Sequence, residues 1–75
     1  MRKLYEIANE IKSDWKRVNF AAKPYLDAML SLESINDQYG YDDARSIVTY
    51  FLVNASLWRG EKAKEIKAEL KGMLK

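Results

Sequence analysis

Apolar residues recur at the i, i+3, i+4 spacing of a helix through four stretches that fill most of the chain, and the third is the most apolar. Over residues 43–58, Ala44, Ile47, Val48, Phe51, Leu52 and Ala55 form one stripe, while Tyr50, Val53 and Leu57 form a second beside it. A helix wrapped in this way must be covered by neighbours or by a partner, so the pattern predicts that it lies at the centre of a small bundle. Residues 47–53 are also rich in β-branched and aromatic types, which is strand composition. No second segment reads as a strand, however, and a lone strand would leave its N–H and C=O groups unsatisfied, so the helix is preferred.

The flanking stretches follow the same rule. Residues 2–18 place Leu4, Ile7, Ala8, Ile11, Trp15 and Val18 on one face, with a charged outer face whose i, i+4 pairs add little stability. Pro24 lacks an N–H and disfavours the α conformation in Lys23, so it marks the first turn of a second helix over residues 24–34, carrying Tyr25, Leu26, Met29 and Leu30 inward, with Ile35 beyond its end. Residues 36–42 are dense in turn formers; Gly40 suits a positive φ, and Asp42 or Asp43 suits the N-cap of helix three. A break is expected within residues 55–60, where Gly60 either stops helix three or is tolerated within a longer helix. Helix four then turns Ala63, Ile66, Leu70, Met73 and Leu74 inward. The fold predicted is an all-α, up-and-down bundle of three to four helices, forming one domain over residues 1–75.

Length changes this picture by making stability marginal. A chain of 75 residues buries a modest fraction of its surface, and with no cysteine it has neither a disulfide nor a thiolate metal site in reserve. Cysteine absence suits a reducing compartment, and no apolar run is long enough to span a bilayer or to follow Arg2 and Lys3 as an export signal. The expectation is a soluble, cytoplasmic protein with no membrane association, existing as a monomer or as a homodimer through the Tyr50, Val53 and Leu57 stripe. The net charge is only +2, but its distribution is uneven: residues 35–43 hold three acidic and no basic side chains, while both terminal helices are basic.

Catalytic chemistry is argued against by what is missing. Without histidine or cysteine, the serine, cysteine and zinc constellations built on them cannot form within one chain. Gly40, Gly60 and Gly72 are isolated, so no phosphate-cradling loop is present. The carboxylates Glu33, Asp37, Asp42 and Asp43 are read as caps and loop solvation rather than as acid/base or metal-binding groups. No catalytic residue, cofactor or metal is therefore expected.

Binding is the better reading. Tyr39 and Tyr41 flank Gly40 in the acidic segment, where tyrosines offer large contact area at low entropic cost, unless their rings fold back to seal the end of the bundle. Trp58 and Arg59 belong to types enriched at binding hot spots, although Trp58 also continues the core stripe of helix three and is expected to pack. The protein-contact candidates are thus Tyr39, Tyr41, Asp42, Trp58 and Arg59, facing an unidentified protein partner. The alternative is a helix-turn-helix-like nucleic-acid binder that uses Arg59 with Lys64, Lys67, Lys71 and Lys75 on one flank of helix four. The interleaved Glu61, Glu65 and Glu69 argue instead for an ordinary solvated face.

Several segments carry a resemblance: Leu4-Tyr5-Glu6-Ile7-Ala8 with Ile11-Lys12-Ser13-Asp14-Trp15; Lys23-Pro24-Tyr25-Leu26-Asp27-Ala28-Met29; Tyr41-Asp42-Asp43-Ala44-Arg45-Ser46-Ile47-Val48; and Asn54-Ala55-Ser56-Leu57-Trp58-Arg59-Gly60-Glu61. Together they resemble small uncharacterised helical proteins of Gram-positive phages and integrative mobile elements. The resemblance brings no motif of known activity. It implies a bacterial cytoplasm and an accessory role exerted by binding a host or element protein.

Overall fold

Residues 44–55 are turned inward as the stripe requires: Ala44, Ile47, Val48, Phe51 and Ala55 are buried, and Leu52 is half-buried against them. The computed structural model describes residues 2–75. Its elements are α1 (Leu4–Asp14), α2 (Lys23–Met29), β1 (Gln38–Tyr39), β2 (Asp42–Asp43), α3 (Ala44–Val53) and α4 (Glu61–Leu74). α3 packs against α2 and α4, and α1 packs against α2 and α4, so the four helices share one apolar core.

The chain is mostly helical, but it is not strictly all-α. β1 and β2 pair antiparallel, Gln38 with Asp43 and Tyr39 with Asp42, in the segment read from sequence as a turn. Gly40 has φ 62°, a conformation that L side chains rarely adopt, and it stands first in the two-residue loop, where a II′ hairpin turn takes glycine. Both strands are exposed, so no alternation of apolar and polar residues announces them. A hairpin this short would not persist alone. Its base is held by the Ala44 N–H donating to the Asp37 carbonyl at 2.8 Å, and β2 runs directly into α3.

The helices are shorter than the apolar periodicity predicts. α1 ends at Asp14 rather than at residue 18, and α2 ends at Met29 rather than at residue 34. α3 ends at Val53, although Ala55 and Trp58 beyond it are buried. Trp15, Leu32, Ala55 and Trp58 all reach the core from turns. After α2, i to i−3 hydrogen bonds tighten the chain from Leu30 to Leu32. The expected break before α4 is present, and Gly60, with φ 114°, is the N-cap of α4.

Helix ends are satisfied both locally and across the fold. Asp43 caps α3, its carboxylate accepting from the Ser46 N–H at 2.7 Å. At the start of α1, Glu6 accepts from the Lys3 N–H. The otherwise unpaired N–H groups of Leu4 and Tyr5 donate to the carbonyls of Glu33 and Leu32, both at 2.9 Å. The segment after α2 therefore closes the first turn of α1. Arg2 reaches Glu69 through two guanidinium nitrogens and also bonds Glu10, which Lys62 approaches at 3.2 Å, so charged groups link α1 to α4 across the surface.

Two predictions follow from this packing. Phe51→Ala should cost about 3–5 kcal/mol, a large share of the roughly 5–15 kcal/mol typical of a domain, while exposed Lys64→Ala should leave the thermal melt near that of the parent. A Phe51→Ala protein melting like the parent would remove that ring from the core. The second concerns acid. Backbone N–H donors hold the carboxyls of Asp43 (Ser46, with help from its hydroxyl) and Asp37 (Glu33, then Ser34) below the ordinary value of 3.8. The folded state therefore binds fewer protons than the unfolded chain just below that value, and this stabilisation is full above about pH 4 and fades as pH falls through the lowered folded values. Asp43→Asn with Asp37→Asn should flatten the fall of the melting midpoint on acidification.

Candidate functional site

A groove of about 420 Å³ opens where the start of α2, the face of α3 and the hairpin meet. Its floor is apolar, with Ala28 from α2 and Ile47 from α3, both buried. Tyr25, Tyr39 and Tyr50 stand around it, and the Tyr25 and Tyr50 rings lie 5.5 Å apart at 39°. Tyr39 is 45% exposed and Tyr50 50%, so their rings form walls open to solvent rather than a sealed bundle end. Tyr41, at the hairpin tip, is fully exposed.

Electrostatics separates the three aspartates of this region. Asp37 is engaged with the N–H groups of Glu33 and Ser34, and Asp43 with that of Ser46. Asp42 is left as the carboxylate at the rim of the tyrosine groove. Its position beside three phenol rings makes a site of mixed character: an apolar floor, aromatic faces rich in π density, and one negative charge. Such a lining accommodates an apolar side chain and attracts a cation, through the ring faces and the carboxylate together.

The corner at Trp58 and Arg59 is built differently. Trp58 is only 2% exposed; its ring stacks on Trp15 at 5.8 Å and 10°, and Phe51 meets both indoles edge-on. The indole N–H donates to Asp14 at 2.8 Å, and Lys67 donates to the Trp58 carbonyl at 2.7 Å while its ammonium lies 5.8 Å from the ring centre. Trp58 is thus held on both sides as a packing residue, and Arg59 is the exposed member of the pair. This arrangement also takes Lys67 out of the basic flank of α4. Burial, with Lys71 and Arg59 adding repulsion, holds its amine below the ordinary lysine value.

Lys64 and Lys71 stay exposed on α4, interleaved with Glu61 and Glu65, while Glu69 is occupied by Arg2. The link between α3 and α4 spans residues 54–60, longer than the roughly 3–4-residue turn of a helix-turn-helix. Glu33, Asp37, Asp42 and Asp43 do not converge: among the described residues, no group of three histidine, cysteine, aspartate or glutamate side chains could hold a metal ion. Among the described residues, no helix is long and apolar enough to cross a membrane.

Sequence reasoning placed Tyr39 and Asp42 at the site but not Tyr25 or Tyr50, which it assigned to the core and to a lateral stripe. The missing signal is tertiary, because nothing in the spacing reports that α2 and the hairpin stop short of covering this side of α3. Val53 and Leu57 of the same lateral stripe are also exposed. Comparison with known proteins finds no matching family model, no matching curated protein and no matching solved structure.

Truncations separate the two halves of the Trp58-Arg59 corner. Trp58→Ala should destabilise by about 3–5 kcal/mol, by opening a cavity between α1 and α3, whereas Arg59→Ala should fall within about 0.5 kcal/mol of the parent in thermal or urea melts. Similar, small effects for both would place the indole outside the core.

Proposed function

We propose that this protein is a small, non-catalytic protein-binding module that uses the tyrosine groove to hold a basic segment of a partner protein. The observation that carries the reading is a groove in which exposed Tyr39 and Tyr50 and half-buried Tyr25 surround an apolar floor, with Asp42 at its rim. In a mostly helical body, expected to have up-and-down connectivity, a rigid groove loses little entropy on binding. The complementary segment carries an apolar residue for the floor at Ala28 and Ile47, and a lysine or arginine for Asp42 and the ring faces. Tyr41 at the hairpin tip and Arg59 are exposed residues for further contacts.

The resemblance to small proteins of Gram-positive phages and integrative elements supports a setting in the bacterial cytoplasm, with a host or element protein as the partner. Lack of histidine and cysteine supports the non-catalytic part of the reading. Helix-turn-helix-like binding through α4 is less well supported, because Lys67 is committed to Trp58 and the acidic residues interleave with the remaining lysines.

The test is affinity capture from a Gram-positive lysate with and without nuclease treatment, using the parent, Tyr39→Ala with Asp42→Lys, and Lys64→Glu. A discrete protein should be retained by the parent and by Lys64→Glu, and lost at least tenfold from the groove variant while that variant melts like the parent. Retention unaffected by the groove changes, or loss on nuclease treatment alone, would overturn the reading.

A further inference from the structure

On another part of the surface, the turn between α1 and α2 presents Phe20 to solvent, 93% exposed, the most exposed of the chain's phenylalanines and tryptophans. It is not on a loose tail. The Asn19 carbonyl accepts from the Ala22 and Lys23 N–H groups at 3.0 and 3.2 Å, and Ala22 is buried, so the turn is pinned immediately before and after the ring. Val18 and Lys23, on either side of Phe20 in sequence, help to line a shallow groove of about 290 Å³ in which Lys12, Lys16, Arg17 and Lys23 surround Trp15 and Val18. No acidic residue lines this groove. Lys23 approaches Asp27 at 3.4 Å, whereas Lys12, Lys16 and Arg17 make no ion pair among the described residues.

Four cations around an apolar floor, with an exposed aromatic ring on the pinned backbone of the adjoining turn, have the two parts of a single-stranded nucleic-acid contact: phosphates on the lysines and arginine, and an unpaired base on the ring. We propose that the α1–α2 turn binds single-stranded DNA or RNA, with Phe20 as the stacking platform and Lys12, Lys16 and Arg17 as the phosphate contacts. The groove is open and small for an enclosed ligand, which favours an extended chain crossing it. Stacking on Phe20 requires an unpaired base, which separates this mode from duplex binding. An anionic membrane would offer the same negative charge, but interfacial helices insert a broad apolar face, and here a single ring projects. The surface is distinct from the tyrosine groove and does not depend on it.

The experiment is fluorescence anisotropy with labelled oligothymidylate and oligouridylate, measured against salt, with a matched duplex, heparin and phosphatidylserine vesicles as competitors. Binding of the single strands should weaken with salt at a slope near −2 to −3 in log–log form, as expected for three to four phosphate contacts. Phe20→Ala should weaken binding roughly 5- to 150-fold with the slope unchanged, the range that loss of one stacked base implies. Lys12→Glu with Lys16→Glu and Arg17→Glu should abolish it, and Asp42→Lys in the tyrosine groove should leave it intact. All substituted side chains are exposed, and thermal melts confirm folding of each variant. No binding at low salt, affinity for heparin or duplex equal to that for single strands with no effect of Phe20→Ala, or Phe20-dependent binding to vesicles alone would each overturn the proposal.

Discussion

The contact on which the rest of the structure depends is the aromatic cluster of Trp15, Phe51 and Trp58. Two of its members lie outside any helix: Trp15 just past α1, and Trp58 in the link before α4. Stacked indoles with a phenyl ring edge-on to both bury a large apolar area in a favourable quadrupole geometry. The cluster sits where α1 ends, since Trp15 still closes a helical bond with its N–H donating to the Ile11 carbonyl at 2.7 Å, and it ties that end to α3 and to the link before α4. Hydrogen bonds from the indole N–H to Asp14, and from Lys67 to the Trp58 carbonyl, satisfy the polar groups that such packing would otherwise strand.

Once those ends are set, the remaining surfaces follow. α2 is short and packs along α3, and the chain after it returns to give its carbonyls to the first turn of α1. The hairpin fills the space before α3 without covering the side where Tyr25 and Tyr50 meet, which leaves the tyrosine groove open. Just before α2, the pinned turn from Asn19 to Lys23 leaves Phe20 uncovered. Both candidate surfaces are thus consequences of a core too small to enclose every large side chain, which is the general condition of a chain of this length.

The two surfaces differ in charge as well as in place. Around the hairpin, two of three aspartates are consumed by backbone N–H groups and one remains at the rim of the aromatic groove. Around the α1–α2 turn, every charged residue of the lining is basic. A molecule of net charge +2 can therefore offer one face to a cationic partner and another to an anionic one, since charge acts on a partner over roughly a Debye length rather than through the total.

Sequence alone determined which residues face inward. The stripe from Leu4 to Ile11, that of α3 apart from half-buried Leu52, and the residues Ala63, Ile66, Leu70 and Met73 are buried as their spacing demands, with Leu74 half-buried, and Asp43 caps α3. What the spacing did not distinguish is a core residue on a helix from a core residue on a turn, so Trp15, Ala55 and Trp58 extended the apparent helices, while buried Leu32, off the expected stripe of α2, was missed. Periodicity records burial, and burial is blind to the backbone that delivers the side chain. Trp58 packs as its place on the extended α3 stripe led one to expect, but only the tertiary structure decided that Tyr39 and Tyr41 stay outside, that Lys67 serves a carbonyl, and that Phe20 stands uncovered. Each of these depends on whether a distant segment arrives to cover the residue, and coverage by remote chain is a property that no local pattern contains.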